Sequence, residues 1–476
     1  MRYISTRDKN CFVSPSQAIL KGLADDGGLF VPEAIPSADF SAEDYLSLGY
    51  DEMASRLLYK LLPDLGLDSI RSCVSEGYGD KFDSSERVAL EKVGERFFLE
   101  LYHGPTCAFK DMALCVLPRL ITASCALNGE TRETVILTAT SGDTGKAALA
   151  GFADVPGTKI IVFYPENGVS KVQKAQMQTQ AGSNVYVCAI EGNFDDAQGG
   201  VKRAFEEIKT DEVILSSANS INVGRLAPQV AYYFYAYGRL LERGEIAYGD
   251  EVSFTVPTGN FGDIFAGWLA KQMGLPVARL RCASNENRVL TDFFETGTYD
   301  RRRELILTDS PSMDILVSSN LERLIFYASG MDDAFVRKAM KSLSEDGFYT
   351  VPEDVMAKIR ADFDFGSADD SRAGEIIASC WNEYRYLMDT HTAVAAACSR
   401  PADVVLSTAS AFKFAPAILE ALGQLVPESG FDAMKALAIC TGKSVPAALA
   451  GLEALPLLHR DVIIKDRITE YVKERI

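Results

Sequence analysis

Between residues 97 and 257 the apolar positions fall into short runs, separated by polar turns and by stretches of helical spacing. Residues 97–101, 134–140, 159–165, 184–190 and 252–257 are rich in Val, Ile, Phe, Tyr and Thr, with Gly, Ser, Asn or Pro nearby, and read as strands. Helices are predicted over 112–127, bent at Pro118, over 146–153, over 226–241 as a long amphipathic element, and over 264–273. A late strand spans 403–406. Strands alternating with helices predict an α/β protein of mostly parallel sheets with helices on both faces, whose ligands gather at the carboxyl ends of the strands.

Residues 1–95 are mixed. They hold a capped helix over 14–23, an extended stop at 29–32 after an Asp-Asp-Gly-Gly turn, and a helix over 51–61. No catalytic constellation falls there, and the segment reads as an N-terminal packing or lid domain. Residues 362–367, Asp-Phe-Asp-Phe-Gly-Ser, misplace the glycine of a calcium loop and read as an acidic surface turn.

Composition narrows the partners. At 476 residues the chain has room for about two or three domains. A net charge of -18 argues against nucleic-acid binding and against an anionic membrane surface, so any anionic ligand must be met by a focused cluster of donors. The ten cysteines are scattered singly, with no ligand spacing to the three histidines, and read as reduced thiols with no metal site. The first residues lack the apolar core of a signal peptide, and no uncharged run reaches membrane-spanning length; a cytoplasmic protein is expected.

Candidate chemistry collects at the turns. In His103-Gly-Pro-Thr-Cys-Ala-Phe-Lys110-Asp111 a lysine stands behind an aromatic residue at a helix start, a setting that partly buries an amine and lowers its pKa. A solvated helix start is the plain alternative. Thr140-Ser141-Gly142-Asp143-Thr144-Gly145 links a strand to a helix N-terminus, a ready anion site or simply a well-capped turn. Neither it nor Thr441-Gly442-Lys443-Ser444 has Walker spacing, since Leu437 stands where the first glycine belongs. Ser217 to Arg225 offers amides, hydroxyls and a guanidinium to a phosphate or carboxylate, or an N-capped helix with a surface arginine. Thr258-Gly259-Asn260-Phe261-Gly262-Asp263 lets successive amides turn inward around a phosphate, or is an empty glycine-rich turn. Thr408 ends a strand where a hydroxyl could meet a pyridine nitrogen, and the lone His391 reads as structural.

Together and in this order the motifs resemble the threonine synthases, long form, which are pyridoxal-phosphate enzymes of fold type II. The resemblance begins at Ser14-Pro-Ser-Gln-Ala-Ile-Leu-Lys-Gly-Leu-Ala-Asp-Asp-Gly-Gly-Leu-Phe-Val-Pro32 and runs over nearly the whole chain. It implies Lys110 as the Schiff-base lysine and general base, with Gly259, Asn260, Phe261, Gly262 and Asp263 around the cofactor phosphate and Thr408 at the pyridine nitrogen. It implies Thr106, Thr140, Ser141, Gly142, Asp143 and Thr144 around the substrate, and Asn222 and Arg225 at the substrate phosphate. Two phosphates in a chain of net charge -18 call for a focused positive pocket, expected from Arg225, Lys171 or Lys174 and the two loop amide nests. The implied domains are 1–95, a large pyridoxal 5'-phosphate-binding domain of 96–130 with 225–476, and a small α/β domain of 131–224.

Two departures stand out. The family pattern Ser-Thr-Ala-His-x-x-Lys-Phe has Ser410 at the histidine, with Thr408 and Lys413 kept; in Asp-Pro-His-Thr-Ala the proline is Thr390. The implied reaction converts O-phospho-L-homoserine and water to L-threonine and phosphate, in a monomer or homodimer. Its rivals are a phospholyase giving 2-oxobutyrate and a non-catalytic cofactor-binding protein.

Overall fold

The structure, a computed structural model, describes residues 1–140 and 142–476. Two sheets organise it. The larger has six strands in the order Phe363–Ser367, Val277–Ser284, Val252–Pro257, Val404–Ser407, Arg96–Glu100, Ala89–Val93. All neighbours are parallel except the last pair. The smaller is wholly parallel, with five strands in the order Asp461–Ile464, Val185–Glu191, Thr158–Pro165, Glu133–Ala139, Val213–Ser216. A three-stranded antiparallel sheet and the helices Pro15–Lys21, Ala42–Ser47, Tyr50–Leu61 and Leu67–Tyr78 form the N-terminal region. Ser14 caps the first of these in a reciprocal capping box. This is the α/β architecture of mostly parallel sheets that the alternation predicts. Among the described residues no helix is long and apolar enough to cross a membrane.

Three local expectations change. Residues 363–367 form an edge strand instead of a surface turn, because Asp364 is held by Arg279 at 2.7 Å and by Arg281 at 3.0 Å from the neighbouring strand. The predicted helix at 112–127 is two helices, Asp111–Leu114 and Leu117–Leu127, with Pro118 in the first turn of the second, where its missing N–H is tolerated. The segment 226–241 is likewise divided, into Val223–Leu226, a 3-10 turn containing Pro228, and Val230–Glu242.

That last helix is buried on nearly every side, not amphipathic. Tyr237 and Tyr235 meet Tyr45 and Tyr50 of the N-terminal region at ring distances of 4.9 and 5.3 Å, while Tyr233 meets Phe254 of the large sheet at 5.0 Å. The N-terminal region is therefore welded to the large sheet through aromatic edges. Pairing also redraws the expected divisions: Ala89–Val93 lies in the large sheet and Asp461–Ile464 in the small one.

One close approach positions the site. A Cβ on Gly151 would lie 2.0 Å from the Leu114 carbonyl oxygen, so helix Asp143–Phe152 crosses Asp111–Leu114 at backbone distance. The loop before the first helix is thereby set against the lysine before the second.

Candidate active site

Lys110 is mounted by short-range hydrogen bonds and by a graft onto a distant strand end. Thr106 donates its N–H and its hydroxyl to the Asp111 carboxylate at 2.8 and 2.6 Å, closing the turn on which Cys107 adopts φ +56°. Phe109 N–H donates to the Thr408 carbonyl at 2.8 Å, Ser410 N–H to the Cys107 carbonyl at 3.1 Å, and Ala108 bridges Ala409. The lysine is 9 % exposed. Its Nζ lies 3.5 Å from Ser312 Oγ and 4.7 Å from the centre of the Phe109 ring. Burial pushes the amine down to about 8; Asp143 opposes this, and Arg225 and Lys413 add to it.

The 140–145 loop faces that amine. Lys413 Nζ sits 2.7 Å from Asp143 Oδ1 and 3.1 Å from the Thr106 carbonyl oxygen, and Gln173 Nε2 donates to the same carboxylate oxygen at 2.8 Å. Burial alone would raise the Asp143 pKa, but the charges of Lys413 and Lys110 and the hydrogen bonds hold it well below the usual carboxylate value. Thr140 turns its hydroxyl inward, accepting the N–H groups of Gly142 and Gly145 at 3.0 and 2.9 Å. Gly142 has φ +139°, and a Cβ there would meet Gln173 at 2.5 Å. Thr144 is half-buried in the first helical turn, and Ser141 lies outside the described residues. Lys171 opens helix Lys171–Gln178, which supplies Gln173 to this cluster, and is itself exposed to solvent.

Arg225 is buried, and its side chain makes one protein hydrogen bond among the described residues, from Nη1 to the Ala218 carbonyl at 2.8 Å. No carboxylate pairs with it among the described residues, and burial pushes it down to about 10. A buried guanidinium with free donors calls for an anion. Asn222, by contrast, caps helix Val223–Leu226: its Oδ1 accepts Gly224 N–H at 2.9 Å and its Nδ2 donates to the Ile19 carbonyl at 3.0 Å. Its side chain is thus engaged by the fold, which matches the N-cap alternative for this segment.

The glycine-rich turn fits a phosphorylated cofactor. Phe261 takes φ +62° immediately before helix Gly262–Gln272, whose first amides have no partner within the helix. A Cβ on Gly259 would lie 2.7 Å from the Ser312 carbonyl oxygen, which only glycine allows. Asn260, the exposed residue of the turn, has its carbonyl held by Asn320 N–H and Nδ2 at 3.1 and 2.9 Å, and Ser318 donates to the Gly259 carbonyl at 2.6 Å. Asp263 accepts Tyr232 and Tyr233 hydroxyls on Oδ1 at 2.6 and 2.8 Å, while its buried Oδ2 has no partner. Burial raises this carboxyl to about 6 against those hydrogen bonds. A buried, weakly basic amine and an amide cradle opened by Gly259 and Gly262 suit pyridoxal phosphate.

Thr408 sits at the end of Val404–Ser407, its N–H donating to Thr392 Oγ1 at 3.2 Å. His391 is buried. Its Nδ1 lies 2.9 Å from Asp389 Oδ1, and its Nε2 accepts Ser312 N–H at 3.1 Å. Sequence reasoning passed over Lys413, Gln173, Ser312 and Asn320 as site residues. Only the kept lysine of the Ser407–Phe414 segment gave a signal; the others sit in segments without a motif.

Comparison with known proteins completes the description. A family model described as threonine synthase N terminus matches residues 2–78, and one described as pyridoxal-phosphate dependent enzyme matches residues 84–404. The chain is 38% identical to the threonine synthase of Pseudomonas aeruginosa over 476 residues, covering 96% of this chain and 98% of that one. It is 40% identical to human threonine synthase-like 1 over 439 residues, and there it spans 58% of the relative's length. Among solved structures, the PLP-bound threonine synthase of Brucella melitensis superposes with a TM-score of 0.89 at 38% identity, covering 100% of this chain and 99% of that one.

Proposed function

The chain belongs to the threonine synthase family of pyridoxal-phosphate-dependent enzymes, and from that premise we propose that it converts O-phospho-L-homoserine and water to L-threonine and phosphate. The observation that carries this reading is Arg225: a buried cation without a carboxylate partner among the described residues, electrostatically coupled to the Lys110 amine. A second anion site beside an aldehyde-binding lysine suits a substrate with its own phosphate. A dehydratase acting on free serine or threonine has no use for one.

When bound, pyridoxal phosphate supplies an electron sink that makes substrate protons near the amino group acidic. Lys110 would move those protons: it takes one from Cα and one from Cβ, and returns one at Cγ after the phosphate has left. It returns the other at Cα once water has added at Cβ, the spare proton of that water passing to the phosphate. An amine lowered to about 8 keeps roughly a tenth of itself as free base at neutral pH, a compromise suited to both taking and giving a proton. Arg225 receives the departing phosphate, and water adds at Cβ. Asp143, neutralised by Lys413 and hydrogen-bonded by Gln173, leaves the Asp143 and Thr144 amides in the first turn of the helix to take the substrate carboxylate, those of Gly142 and Gly145 being held by Thr140. Thr408, at the end of its strand, would offer a neutral hydroxyl to the pyridine nitrogen. All ten cysteines are unpaired, which supports work in a reducing compartment such as the cytoplasm.

Ser410 gives the phospholyase reading its footing, because it is buried where the family pattern carries a histidine. Incubation with O-phospho-L-homoserine, followed by separate assays for threonine, 2-oxobutyrate and phosphate, decides between them. Threonine and phosphate in equal amounts are expected; 2-oxobutyrate with ammonia in place of threonine would overturn the synthase reading. Lys110→Ala should abolish both the visible cofactor band and turnover.

A further inference from the structure

The loop that meets Lys110 from across the site, residues 309–314, carries no motif. It is nevertheless held at two points by one short turn. Thr390 Oγ1 donates to the Asp309 carbonyl at 2.6 Å, and His391 Nε2 accepts Ser312 N–H at 3.1 Å. Both grips depend on Asp389, fully buried at the cap of helix Thr390–Cys398: its Oδ1 takes the His391 N–H and lies 2.9 Å from Nδ1, and its Oδ2 takes the Thr392 hydroxyl. With Nδ1–H donated to the carboxylate, Nε2 is the accepting nitrogen that the Ser312 amide needs. The imidazole is packed edge-on against Phe414 at 4.9 Å and cannot swing away.

We propose that Asp389, Thr390 and His391 are positioning residues that hold the Ser312 hydroxyl against the Lys110 amine, and that Ser312 is a catalytic residue tuning that amine's proton affinity. Ser312 Oγ accepts from Lys110 Nζ at 3.5 Å, a long contact that requires its loop to be fixed if it is to persist. The loop is also fixed on the side of the glycine-rich turn, because the Ser312 carbonyl abuts Gly259 at the distance where a Cβ would clash. Thr390 is this chain's own contribution, since the proline of the family pattern has no hydroxyl to offer Asp309.

The inference rests on Lys110 being the cofactor lysine. The groups facing its amine are Asp143, Asp111, Asp263, Arg225 and Lys413, and none of them is altered in the tests. Because Ser312 accepts from the charged amine, its removal disfavours the ammonium. In full-length, cofactor-free protein, the pH dependence of Lys110 acetylation by acetic anhydride, read by peptide mass spectrometry, should shift down by about half to one pH unit in Ser312→Ala. Ser312→Thr should restore it. His391→Asn and Thr390→Val should shift it the same way by less, and the pH midpoint of the visible band of the loaded enzyme should move with it. A Lys110 titration unchanged in Ser312→Ala overturns the proposal, as does a melting loss in His391→Asn and Thr390→Val without any titration shift. Persistence of the visible band in Lys110→Ala would instead sink the reading of Lys110 itself, an outcome separate from these.

Discussion

Lys413 holds Asp143 at 2.7 Å from Nζ to Oδ1, both groups buried, one beyond the end of a large-sheet strand and the other at the head of a small-unit helix. The same ammonium reaches the Thr106 carbonyl at 3.1 Å, so one side chain ties the carboxylate loop, the lysine turn and its own strand end together.

Breaking that pair from one side leaves a bare buried charge. Lys413→Met should destabilise the cofactor-free protein by about 3–5 kcal/mol, and Asp143→Asn/Lys413→Met by less than the sum of the two single changes, with a coupling of at least ~1 kcal/mol in denaturant titrations. The pH sign follows from the depressed Asp143 pKa. Its stabilising contribution is present above the unfolded carboxylate value near 3.8 and is lost as pH falls below it, so wild type and double variant should converge in acid.

Arg225→Gln removes a buried cation that opposes protonation of Lys110. Apparent KM for O-phospho-L-homoserine should rise by about 10- to 100-fold, the worth of one charge-assisted hydrogen bond. The Lys110 amine should at the same time titrate above its present value of about 8, moving the acid limb of the rate profile to higher pH. An unchanged KM would remove Arg225 from the phosphate site.

Lys146 is a buried amine outside the proposed mechanism. It donates to Gln180, and burial pushes it down to about 8. Its folded pKa lies below its unfolded value, so the buried charge is a burden at neutral pH that disappears as pH rises from about 8 to 10.5. Lys146→Met should therefore stabilise the protein by up to ~3 kcal/mol at pH 7, a gain that shrinks over that window in thermal melts.

For Asp263 the sign reverses. A carboxyl raised to about 6 favours folding while protonated and loses that advantage as pH rises from 3.8 to about 6. Asp263→Asn should match wild type near pH 4, melt higher above pH 6 when cofactor-free, and retain the cofactor phosphate more tightly, as equilibrium dialysis against pyridoxal phosphate would report.

Much of this was legible in the order of residues. Strand runs, glycine turns and the lysine motif are local, so periodicity and turn chemistry reach them. Phe363–Ser367 was not legible: its alternating aspartates look solvated until the arginines of the next strand are known. Asn222 is the same difficulty in miniature, since an amide that caps a helix and one that binds phosphate have the same neighbours in sequence. Lys413 and Ser312 belong to the site only through pairings between distant segments, which one sequence does not encode at any fixed spacing.

The graft of the lysine turn onto Thr408 and of Arg96–Glu100 onto Val404–Ser407 also orders events in time. At ribosomal speeds of about 5–20 residues per second, the Thr408–Lys413 partners of the lysine turn emerge about 15–60 s after it does. Until then the lysine turn lacks the strand end and the Lys413 ammonium that complete its place in the fold. Burial of the Lys110 amine is thereby deferred until the chain has been made past Lys413.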